Sequence, residues 1–164
     1  METLLSVPEL VAAALANAKT SEHRIAEVRD HFKGQNGSGT QAEDLRVAYA
    51  ALELLAVDTF SVFEARMQHH FKRGPFSRKL KAVLVDAGHT DLADRVHQYY
   101  LAINVLKHGT GASYRELRDT PNALFPVKPA ESDAPSGLID VGVPGFFEGL
   151  ATTLLEAHQF LEDR

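Results

Sequence analysis

Asn104 and His108 stand four residues apart in the segment Ile103-Asn-Val-Leu-Lys-His-Gly109, a spacing that puts both side chains on one face of a helix. A helix C-terminus favours an imidazole in its protonated form, and near neutral pH such a ring can give or take a proton in phosphodiester cleavage. In that chemistry His108 is the candidate general acid or base, Asn104 orients the ring or the substrate, and Lys107 meets a phosphate. The same residues also fit ordinary helix-stop chemistry, with Lys107 and His108 in a last turn before Gly109 and Asn104 bonded to a neighbouring loop.

Six of the 17 basic side chains fall between Arg66 and Lys81, namely Arg66, Lys72, Arg73, Arg78, Lys79 and Lys81. His69 and His70 join them, and no acid occurs between Glu64 and Asp86. Such clustering marks a phosphate-binding surface or, equally, a solvated loop that balances acidic helices elsewhere. Arg66, His70, Lys72, Arg73 and Arg78 are therefore candidate phosphate or RNA contacts. Ser113, Tyr114 and Arg115 join them, because the turn Gly109-Thr-Gly-Ala-Ser113 brings them back toward His108. That turn is not a phosphate loop, since it lacks the Gly-Lys-Ser/Thr ending and follows a helix. Tyr99 and Tyr100 are of the type that stacks a base, although helical spacing makes one of them a core residue.

A rival constellation is a carboxylate–histidine metal site from Glu64 with His69 or His70 and His108 or His158. No Glu-x-x-His repeat or His-Glu-x-x-His supports it, so no metal ligand and no cofactor is assigned. No serine-nucleophile elbow is present either. Arg24 and His31 form a second spaced Arg–His pair, of a kind that arises by chance at this composition.

Positioning these residues requires helices, and the periodicity supplies them. Ser6 caps a first helix over about Val7 to Lys33, in which Thr20 and Ser21 allow a break. A polar, glycine-rich connector follows over 34–39, and Thr40-x-x-Glu43 has capping-box spacing. Leu45, Ala48, Leu52, Leu55, Phe60, Phe63, Met67 and Phe71 then make the stripe of a central helix. A shorter helix from about Ser77 to Ala87 stops at Gly88, and Thr90 caps the helix over about Asp91 to Lys107 that carries the candidate pair. Ser113-x-x-Glu116 again has capping-box spacing and starts one short turn before Pro121. Five of the seven prolines lie from Pro121 to Pro144, where an irregular excursion with a small hairpin is expected. Pro144 opens a last amphipathic helix carrying Phe147, Leu150, Ala151, Leu154, Leu155, His158 and Leu161. The expected fold is an all-α bundle of four to five main helices with an irregular insertion before the last one.

With these residues the chain resembles the HEPN (higher eukaryotes and prokaryotes nucleotide-binding) superfamily, whose signature is an Arg followed by a polar residue, often Asn, and then a His near a helix end. Asn104 matches the polar position and His108 the His, while the position of the Arg holds Ile103. The resemblance implies an all-α bundle, a homodimer, RNA or nucleotide binding, and metal-independent ribonuclease activity of the toxin–antitoxin or phage-defence type with an antitoxin partner. With Ile103 in place of the Arg, either Lys107 or Arg95 substitutes or the domain binds without cutting. The alternative from another class is a non-enzymatic interaction or dimerisation module.

Composition bounds these readings. A chain of 164 residues with 45% hydrophobic and 24% charged side chains has the make-up of one globular domain. Zero cysteines exclude disulfides, thiolate metal sites and cysteine nucleophiles. Glu2, where a leader would be basic, together with Pro8 and Glu9 argues for a helix and against a signal peptide, so the expectation is a soluble, cytoplasmic protein with no membrane partner. A net charge of −5 argues against a dedicated duplex-DNA binder, because polyanion affinity comes from Lys and Arg neutralising phosphates.

Overall fold

In the computed structural model, which describes residues 4–32, 39–131, 137–143 and 145–164, the Ser6 hydroxyl accepts the Glu9 amide at 3.3 Å and opens helix α1 (Val7–Phe32). α1 does not break at Thr20 and Ser21. The Thr20 hydroxyl donates back to the Ala16 carbonyl at 3.3 Å, which absorbs the polar side chain within the helix. α2 (Gly39–Met67) returns along α1, with Leu45, Ala48, Leu52, Phe60, Phe63 and Met67 of the expected stripe buried. Its end tightens into a 3-10 turn (Gln68–His70) instead of reaching Phe71, whose backbone is extended. Residues 34–38 of the connector expected over 34–39, the Thr40 side chain of the expected cap and Pro144 lie outside the described part.

α3 (Phe76–Asp86) passes into α4 (Thr90–His108) through one tight stop. Gly88 sits at φ +85°, its amide donates to the Val85 carbonyl at 3.0 Å, and the His89 amide donates to Leu84 at 2.8 Å. The His89 carbonyl already accepts the Ala93 amide, so His89 takes the capping position expected of Thr90. α5 (Ala112–Arg118) starts one residue before Ser113, with Gly111 preceding it. α6 (Phe146–Glu162) follows Gly145 at φ +94°.

The protein is an all-α bundle, as its periodicity requires. α4 is the most enclosed element: it packs on α2, α3, α5 and α6 and buries Leu92, Ala93, Val96, Tyr99, Leu101, Ala102, Ile103 and Val105. The longer α2, expected at the centre, packs on α1, α4 and α6 and leaves Val47, Leu54 and Val62 exposed. Among the described residues between α5 and α6, an antiparallel bridge joins Val127 to Ile139, and the Lys128 amide bonds Leu138 at 2.7 Å. Ile139 and Val141, both fully buried, fasten it to the bundle. Among the described residues no helix is long and apolar enough to cross a membrane.

Candidate functional site

The register of α4 separates the residues of the expected motif. Ile103 is 1% exposed in the core, Asn104 is half-buried, and Lys107 and His108 are exposed at the helix end before Gly109, which has φ +73°. The Asn104 side-chain amide donates to the Ser113 hydroxyl at 3.1 Å, tying α4 to α5. Lys107 lies near Glu64, whose carboxyl is pushed up by burial and drawn partly back by this lysine. Arg95, the other cation nearest the motif, is held by Asp91 at 3.0 Å and by Glu156. Both cations next to Ile103 in sequence thus have a carboxylate for company.

The basic segment divides as well. Lys72 and Arg73 are exposed between the 3-10 turn and α3, and Arg66 is half-buried, with its carbonyl 3.0 Å from His69 Nδ1. His70 Nε2 lies 3.4 Å from Glu162 Oε1, at the end of α6. Arg78, in the first turn of α3, instead lines a cleft of about 430 Å³ between α3, α4 and α5 with Pro75, Ser77, Lys81, His97, Tyr100 and Ser113. That volume suits a ligand of nucleotide size. Tyr114 is buried and its hydroxyl donates to the Lys128 carbonyl at 2.7 Å, supporting the insertion, and Arg115 is exposed on α5. Asn104 and His108 are not among the residues lining the cleft, although Asn104 holds Ser113 at its wall.

The cleft has the electrostatics of an anion site. α3 begins without a side-chain cap and without an acid in its first turn, so the amides of Phe76, Ser77 and Arg78 face forward unpaired by the helix. Ser77 is 8% exposed and its hydroxyl, sealed from solvent, has no hydrogen-bond partner, a costly state for a buried polar group that turning the side chain toward a bound acceptor would relieve. The one carboxylate among the lining residues, Glu116, is already engaged by His97 Nε2 at 2.5 Å. The His97 ring stacks on Tyr100 with centroids 6.2 Å apart and 28° between planes. A larger cavity of about 700 Å³ lies between the start of α4 and the end of α6, but Asp91, Glu156 and Asp163 line it against Arg95 and Arg164, so it does not favour a phosphate.

Sequence reasoning missed His97 and Glu116 here. The Ser113-x-x-Glu116 spacing suits a capping box, yet both side chains reach across to α4. No family model, curated protein or solved structure matches the chain.

Proposed function

We propose that the chain binds a phosphate-bearing ligand, RNA or a nucleotide, in the cleft between α3, α4 and α5. What carries this reading is the coincidence there of two cations, Arg78 and Lys81, with the uncapped start of α3 and the unpartnered Ser77 hydroxyl. The phosphate sits at the helix start and on the two cations, and Tyr100 with His97 offers a face for a base. Metal-independent ribonuclease activity is the stronger form of the same reading. Within the cleft the imidazole able to move a proton is His97, oriented by Glu116, whereas Asn104 is a positioning residue and His108 stands outside.

The test is fluorescence anisotropy with labelled single-stranded RNA and with nucleotides, across a salt series. Binding is expected to weaken with salt, and the Arg78→Glu/Lys81→Glu double variant is expected to lose about tenfold or more in affinity. His108→Ala should bind like the parent. Absence of salt-sensitive binding, or binding unchanged in the double variant, overturns the reading. In the stronger form, RNA is cut in the presence of EDTA and His97→Ala abolishes the cutting. Loss of cutting in His108→Ala but not His97→Ala would return the chemistry to the end of α4.

A second reading, a dimerisation module, is favoured by one observation: Val47 and Leu54 are 55% and 61% exposed on α2, seven residues apart and therefore on one face, with Val62 exposed beyond them.

A further inference from the structure

Where the 3-10 turn meets the end of α6, three imidazoles surround one carboxylate. His70 Nε2 is 3.4 Å from Glu162 Oε1, and His158 Nε2, one turn back on α6, is 3.8 Å from the same oxygen. His69 stacks beside His70 with ring centroids 4.2 Å apart. The donor atoms of His69, His70 and Glu162 all lie within 4.8 Å of one another. We propose that His69, His70 and Glu162, with His158 as fourth ligand, bind one divalent transition-metal ion of the Zn²⁺ kind.

Three details favour a metal over a plain ion-pair cluster. First, His70 Nε2 is sealed from solvent and, despite its nearness to Glu162, makes no hydrogen bond: the two groups converge without the alignment that a shared proton needs. Second, His69 Nδ1 lies 3.0 Å from the Arg66 carbonyl, an acceptor, so Nδ1 carries the hydrogen and Nε2 keeps its lone pair for a metal. Third, a tetrahedral ion with bonds of about 2.0–2.1 Å sets its donors roughly 3.3 Å apart, a spacing the His70–Glu162 pair already meets, with His69 inside 4.8 Å of both and His158 3.8 Å from Glu162. Imidazoles with one carboxylate suit Zn²⁺ and its neighbours and are poor ligands for Mg²⁺ or Ca²⁺. Bound there, the ion clamps the end of α2 to the last turn of α6. The site shares no residue with the phosphate cleft and stands or falls apart from it.

The experiment is calorimetric titration of the full, tag-free chain with ZnCl₂ and separately with MgCl₂, with thermal melts beside it. One Zn²⁺ per chain at micromolar affinity or tighter is expected, with no comparable response to Mg²⁺. The melting temperature should rise by about 5–10 °C when Zn²⁺ is a hundredfold above its dissociation constant, and EDTA should reverse the rise. His70→Ala and Glu162→Gln should each weaken binding by about tenfold or more, whereas His108→Ala should not. Because His70 is partly enclosed and its variant can lose the fold, His69→Ala on the exposed ring is the second arm, read by loss of the visible absorption of bound Co²⁺. No Zn²⁺-dependent heat and no rise in melting temperature, or equal binding by the parent, His69→Ala and Glu162→Gln, overturns the proposal.

Discussion

Ile103 shows how one residue can divide a motif. It lies at the position where the resemblance would put an arginine, and α4 turns it wholly into the core. A guanidinium there would lose its hydration on entering the apolar core. Ile103→Arg should therefore destabilise the fold by about 3–5 kcal/mol, measured by chemical denaturation, and create no new activity. A variant that folds normally and cuts RNA would show that the core around α4 can open to this position. Asn104 belongs to the same scale: its hydrogen bond to Ser113 is how the expected catalytic amide comes to support the wall of the cleft.

At the scale of elements, the insertion is coupled to the helical hairpin through charge. Glu53 on α2 faces Lys128 and Asp140 of the insertion; burial pushes its carboxyl up to about 7, with Lys128 drawing it back and Asp140 adding to the rise. Asp140 also lies 3.6 Å from Arg29 of α1, whose guanidinium donates to the Tyr49 hydroxyl. Because the folded chain holds the Glu53 proton more tightly than the unfolded chain does, stability falls as pH rises from 4.5 through about 7. A rise of this size is worth about 3 kcal/mol, and partial solvent access lowers that to about 1–2 kcal/mol. Glu53→Gln, which mimics the protonated form, should match the parent near pH 4 and exceed it by that amount at pH 8 in urea denaturation. Equal stability of the two proteins at pH 8 would mean that the carboxylate is solvated where it stands.

On the scale of the whole molecule, the exposed apolar face of α2 decides between a monomer and a pair. If a second copy covers Val47 and Leu54, light scattering should give twice the chain mass and Leu54→Glu should return it to one, leaving RNA affinity unchanged. A parent protein that is already monomeric at high concentration sets this second reading aside. The order of residues spells out the helices, because helix formation depends on neighbours three and four residues apart, and the Ser6 cap and the stops at Gly88 and Gly109 are equally local. It also marked the insertion, where prolines deny the chain a ladder or a helix. Tertiary structure alone decided which way those helices face. Ser113 and Glu116 have the spacing of a cap but satisfy Asn104 and His97 on α4, and of the basic segment only Arg78 and Lys81 line the cleft. His69 and His70 were legible as metal-binding types, yet their carboxylate is Glu162 from the far end of the chain and not Glu64 on the preceding helix. The physical reason is common to all three cases. Local spacing fixes the direction of a side chain relative to its own helix axis, whereas its partner is set by the burial of apolar faces that brings distant helices together.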